Sequence, residues 1–182
     1  MKKTLGMVSV VVACIVLRLL PHAPNIAPMT AFALFAGYVF TWRRGLVMVL
    51  IANLVTDFFI GFYDWRIMAA VYGSYALIAF MGGVAGSGKS AVRAVGATWA
   101  GALIFFFITN GAVWVFSTWY AKTFTGLLSA YVNGLPFLRN SLLGDMGYGA
   151  LFYVGYVLYL ARAGIKTRLV TAYASHINII KS

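Results

Sequence analysis

Glutamate is absent from this 182-residue chain, and only three acidic residues, Asp57, Asp64 and Asp145, stand against fourteen Lys and Arg. That scarcity removes the usual carboxylate chemistries: no helical face carries paired carboxylates, and there is no HExxH. With only His22 and His176 beside them, the ligand set is too thin for a metal centre, so neither a metal nor a cofactor is expected. Cys14 is the single cysteine and lies inside the first apolar run, which excludes an internal disulfide. Charge of either sign is scarce too. With 63% hydrophobic and 9% charged residues and a mean hydropathy of +0.91, the chain lacks the polar surface of a soluble domain.

What is present is a series of apolar runs: Leu5 to Leu20, Met29 to Trp42, Leu46 to Phe62, Ile67 to Ala85, Ala94 to Trp119 and Leu142 to Ala163. A helical span needs roughly 20 apolar residues, so these runs and their short connections use up residues 1–182 as a single transmembrane domain. The expected fold is all-α, an integral membrane bundle of six transmembrane helices. The second run is short for a span and reads as one that starts in a protein-lined region. Between Ala121 and Asn140, Phe124, Leu127, Leu128, Tyr131 and Leu135 recur at helical spacing, which predicts a short amphipathic helix between the fifth and sixth spans.

The basic residues orient the bundle. With the amino terminus inside, Lys2, Lys3, Arg43, Arg44, Lys89, Arg93, Arg162, Lys166, Arg168 and Lys181 are cytoplasmic, whereas Arg18, Arg66, Lys122 and Arg139 are outside. That imbalance follows the positive-inside bias and predicts a multi-pass protein of the bacterial cytoplasmic membrane with both termini cytoplasmic. The net charge of +11 flanks apolar runs instead of forming a solvated stripe, so anionic lipid is the expected partner and nucleic acid is not. The basic start and first apolar run resemble a secretory signal, but removing them would discard one wall of the bundle.

One motif invites a chemical reading. Gly83, four residues, then Gly88-Lys89-Ser90 fit the GxxxxGK[ST] phosphate loop, which requires a strand to deliver it and a helix to follow. An apolar helix delivers it here, so the segment reads as a small-residue turn with a positive-inside lysine. Small-residue spacing such as Gly82 and Gly86, or Ser9 and Ala13, reads as close helix packing.

All three aspartates fall at one predicted end of the bundle, the outer one. Asn53 and Asp57 are four apart and share a helical face, and a carboxylate in hydrocarbon needs a partner or a wet cavity. Arg18, Arg66 and Arg139 are the candidate partners. His22, Asn25, Tyr63, Trp65, Tyr72, Asn110, Trp114, Asn140 and Asp145 are expected at the same level, a mixture of amide, aromatic and charged groups suited to a flat polar ligand. Asp57 and Arg139 are the preferred anchors, Trp65, Tyr72 and Trp114 the stacking surface.

The string Arg18-Leu19-Leu20-Pro21-His22-Ala23-Pro24-Asn25, the Asp57 run ending Gly61-Phe62-Tyr63, Thr109-Asn110 with Val113-Trp114, and Pro136-Phe137-Leu138-Arg139-Asn140 with Gly144-Asp145 resemble an uncharacterised bacterial family. That family is usually labelled as candidate S components of energy-coupling factor (ECF) transporters. The resemblance covers nearly the whole chain. It implies a six-helix membrane subunit that binds a vitamin-like small molecule in an outward-facing pocket and hands it inward, in most cases with a scaffold subunit and two ATPases. It further implies scaffold docking through the first helix, which Ser9 and Ala13 match approximately, and a corrinoid such as cobalamin as the leading substrate. No enzymatic activity is expected. The competing readings are an intramembrane enzyme using His22 and Asp57 as an acid–base pair, and an assembly protein whose polar end clamps helices.

Overall fold

Prolines and glycines set the helix boundaries. The computed structural model describes residues 2–21, 25–85 and 91–162, with side chains for 6–21, 25–85 and 95–162. Among these are six helices and no strand: α1 (Lys2–Leu19), α2 (Met29–Phe40), α3 (Trp42–Ile60), α4 (Trp65–Ala85), α5 (Ala91–Phe116) and α6 (Phe124–Arg162). Helix α1 stops just before Pro21, as it must where the next residues cannot continue the backbone ladder. Helix α3 ends on Gly61, whose φ of 113° is open to glycine at no steric cost, and the Gly61 N–H donates to the Asp57 carbonyl at 2.8 Å.

The short second run is the centre of the molecule. Eight of the twelve residues of α2 are buried, and α2 touches each of the other five helices. A helix apolar on every side belongs in that position. Phe32, Met29 and Ala36 from α2 pack with Cys14 from α1, Val49 and Ala52 from α3, Ile78 and Ala79 from α4 and Phe152 from α6. Close approach is bought by glycine: a Cβ on Gly37 would collide with the Ala79 carbonyl, one on Gly82 with the Leu34 carbonyl, and one on Gly45 with the Gly37 backbone. The last contact lets α2 and α3 fold back on each other around the single residue Thr41.

The exterior is apolar. Val8, Val12 and Val16 on α1, Ile51, Leu54 and Phe58 on α3, and Leu77, Phe80 and Val84 on α4 are all exposed at helical spacing. Among the described residues, Trp65–Ala85 and Val95–Phe116 are long and apolar enough to cross a membrane, and only 33% and 22% of their spans are buried. Most residues of these two helices are therefore not buried, unlike those of a soluble protein's core helix.

The segment expected to form a separate amphipathic helix is instead the start of α6, which runs unbroken through Pro136 for 39 residues. The reason lies in which stripe is buried. Gly126, Ala130 and Gly134 are buried against the rest of the fold, while Phe124, Leu128 and Leu135 are more than half exposed. Gly134 sits against Asn110 and Phe106 of α5, and Tyr131 packs on Phe106 and Phe107. Contacts on the α5 side thus hold the helix straight where the proline removes one N–H. Gly83 lies in α4 against Trp42, so a helix does precede the phosphate-loop-like string; Gly88, Lys89 and Ser90 lie outside the described residues.

Gly37→Ala and Gly82→Ala are expected to destabilise the protein in detergent by roughly 1–3 kcal/mol through overpacking. Gly73→Ala, on the same helix as Gly82 but with open space around its Cβ position, is expected to be neutral or slightly stabilising. Thermal unfolding of the three variants checks the difference, and equal effects would contradict the close-packed α2–α4 contact.

Candidate functional site

Three helices bring four polar side chains together at the end of the bundle that carries the 61–64 turn. Arg18 occupies the last turn of α1, Asn53 and Asp57 share a face of α3, and Tyr72 lies in the first half of α4. The Arg18 guanidinium donates through Nη2 to Asp57 Oδ1 at 2.7 Å and through Nη1 to Asn53 Oδ1. Asp57 Oδ2 accepts from Asn53 Nδ2 at 3.1 Å and from the Tyr72 hydroxyl at 2.9 Å. Asn53 and Asp57 are 0% and 1% exposed, so this carboxylate depends wholly on its protein partners. Both oxygens are engaged, which makes Asp57 a helix clamp.

The partner of Asp57 is therefore Arg18, one of the three candidates, and Arg139 does not pair with it. Arg139 is exposed on another side of α6, beside an apolar groove of about 360 Å³ lined by Trp99, Leu135, Leu138, Leu142, Leu143 and Met146. Arg66 pairs with Asp64 in the 61–64 turn, at 2.8 Å between Nη2 and Oδ2. Its hydrogen bonds hold the exposed Asp64 carboxyl down at about 2. Among the described residues these are the two ion pairs.

Asp145 is in a different place from Asp57. It is 1% exposed and shares a cavity of about 50 Å³ with Asn25, Met29, Thr30, Tyr75 and Ser141. Tyr75 lies about 15 Å along α4 from its start at Trp65, so Asp145 is buried deep in the bundle and not at its end. Pro28 offers α2 no side-chain cap. The Asp145 Oδ1 atom takes that role from α6, accepting the Ala31 N–H at 3.2 Å, while Oδ2 has no hydrogen-bond partner among the described residues. A carboxylate at a helix N-terminus is favoured by the partial positive charge there, but one N–H does not satisfy two buried oxygens.

Other expected site residues separate. Trp65 is 74% exposed and stacks on no buried surface, and Tyr63 is 42% exposed in the turn above Asp57. Trp114 Nε1 donates to the Ala121 carbonyl, which ties down the α5–α6 connection, whereas Asn110 Nδ2 donates to the Phe106 carbonyl one turn back on its own helix. Asn140 is half-buried and outside the cavity wall. Asn25 does line the cavity, held at φ 60°, a conformation asparagine tolerates. His22 lies outside the described residues. Ser9 and Ala13 are both exposed along α1, as a docking face requires. Thr30, Tyr75 and Ser141 were not anticipated. Ser141 was nonetheless legible, since it stands four residues before Asp145 on the same helical face.

No group of three or more His, Cys, Asp or Glu that could hold a metal occurs among the described residues. The cavity is also far below the roughly 300–1,000 Å³ of ordinary small-molecule sites.

Arg18→Met and Asp57→Leu are each expected to cost about 3–5 kcal/mol, because each strands a buried partner. The double variant is expected to lose much less than the sum. Arg139→Ala is expected to stay within about 0.5 kcal/mol of the parent. Denaturant unfolding in detergent reads all four, and additive losses would remove the clamp.

Among known sequences, the profile of the Family of unknown function (DUF6580) matches residues 1–168. No curated protein and no solved structure matches the chain. With nearly all of its length matched, including both polar clusters, the chain belongs to DUF6580, a family of unknown function.

Proposed function

We propose that this protein is a multi-span membrane subunit that captures a small solute from the outer face, the role of a substrate-binding S component of an ECF-type uptake system. The observation that carries the reading is a small cavity of mixed polar and apolar lining beside a buried, half-satisfied carboxylate, inside a body with many exposed apolar side chains. Burying a charge in this way is costly and is retained where it serves a site. All six helices then lie in the bilayer, with the 61–64 turn outside and Arg43 and Arg44 inside, in line with the positive-inside bias.

The substrate is a vitamin or related ring compound, and the corrinoid reading stands as the largest member of that class. The cavity forms the floor of the site. A ring compound exceeds about 50 Å³ several-fold, so it binds only when the chain around Asn25 and the outer helix ends separate. The Arg18–Asp57 clamp keeps α1 on α3 while they do. The exposed Ser9 and Ala13 stripe is the surface offered to an energising scaffold subunit with its ATPases. Catalysis is disfavoured because Asp57, the natural acid–base partner of His22, has both oxygens occupied. That same saturation favours a second reading, an assembly protein in which polar groups only clamp helices.

Protein extracted and purified in mild detergent without added ligand is expected to carry a stoichiometric organic solute, read by mass spectrometry of the denatured sample. Asp145→Ala is expected to lose it while still folding. A solute-free parent that also binds none from a panel of vitamins would leave the assembly reading. Recovery of the protein in the soluble fraction would remove both.

A further inference from the structure

The unpartnered oxygen at Asp145 sits in a setting that suits one chemistry. Its carboxylate is 1% exposed, its Oδ2 has no hydrogen-bond partner among the described residues, and neither of the two ion pairs there involves it. Beside the apolar Ala27, Met29 and Phe105, the cavity wall carries four oxygen-bearing side chains: the Thr30 and Ser141 hydroxyls, the Asn25 amide and the Tyr75 phenol. These are neutral, hard ligands. Nitrogen or sulfur ligands of the kind that hold zinc or copper are missing from that wall, Met29 apart.

Size and charge narrow the choice. A water needs about 10–15 Å³ of such volume, so a cavity of about 50 Å³ takes one small ion with a water or two and excludes an organic cation. One carboxylate balances one positive charge, whereas a divalent ion would leave an uncompensated charge in a wall with no second carboxylate. The α2 N-terminus already presses its own partial positive charge on Oδ1 through Ala31.

We propose that the Asp145 cavity, walled by Thr30, Ser141, Asn25 and Tyr75, is a binding site for a monovalent inorganic cation, with sodium the best fit. The ion completes the shell of Asp145 Oδ2 and ties α6 to the start of α2. The proposal deepens the capture reading by giving the floor of that site an ion. Solute capture then becomes linked to sodium, since an ion that braces α6 against α2 and the Asn25 loop favours the closed arrangement over the open one.

The test uses the full chain in detergent and sodium chloride as the probe. Thermal unfolding is followed in sodium, potassium and choline chloride at one ionic strength, with total chloride held constant. The expected result is a saturable rise in Tm of about 3 °C or more in sodium over choline, with a smaller rise in potassium. Asp145→Asn, which keeps the Oδ1 cap on Ala31, is expected to abolish the sodium response. Ser141→Ala is expected to keep the fold and raise the half-saturating sodium concentration about tenfold. A Tm that ignores the cation in the parent overturns the proposal, as does a sodium response that survives unchanged in both variants. Mass spectrometry of the same preparations separates the two readings: a retained organic solute without a sodium response overturns the ion site alone, whereas neither signal overturns both.

Discussion

The rest of the structure depends on the neutralisation of Asp57. A carboxylate buried at the junction of α1, α3 and α4 is tolerable only because Arg18, Asn53 and Tyr72 meet it from three helices, with Arg18 and Asn53 also bonded to each other. Helix α1 touches the others chiefly through α3, and its outward face carries Val8, Val12 and Val16. Apolar packing alone gives little direction to a helix whose outward face is as apolar as its packed one. The guanidinium bonds supply that direction, and they fix the register of α1 against Asn53 and Asp57.

Around that fixed point the molecule is organised by size more than by hydrophobicity. The close contacts of α2 with α3 and α4 run through Gly37, Gly45 and Gly82, where any side chain would strike backbone. Large residues fill the centre only on α2 and its immediate neighbours, as with Phe32 against Phe152. Asp145 is the exception to the economy of the fold. Where Asp57 has its charge paired and both oxygens bonded by side chains, Asp145 receives a single backbone N–H and opens onto a small cavity. The two carboxylates thus separate into a structural and a receptive one, a distinction that burial alone does not reveal.

Helix positions were largely legible in the sequence: each apolar run became a helix, and Pro21, Pro28 and Gly61 fall at or just outside helix ends. Asn53 and Asp57 on one face, and Arg18 as one of three candidate partners, were legible from spacing. The rest failed for one physical reason. Where the exterior is apolar, large hydrophobics at helical spacing mark the outside as readily as the core, so Phe124, Leu128 and Leu135 pointed to the wrong face of α6 and the buried stripe was Gly126, Ala130 and Gly134. Asp145 was misjudged in depth because the amphipathic segment was read as lying across the bundle, when it adds directly to the length of α6.

The most direct measurement compares the thermal unfolding of Asp57→Asn and Asp145→Asn in sodium-free detergent buffer. These changes are identical in chemistry, and both carboxyls are almost fully buried, yet opposite signs are predicted. Asp57→Asn lowers Tm because Arg18 is left with an uncompensated charge, and Asp145→Asn raises it because an unpaired charge is removed. A comparable loss of stability in both variants would contradict the division between clamp and receptive carboxylate.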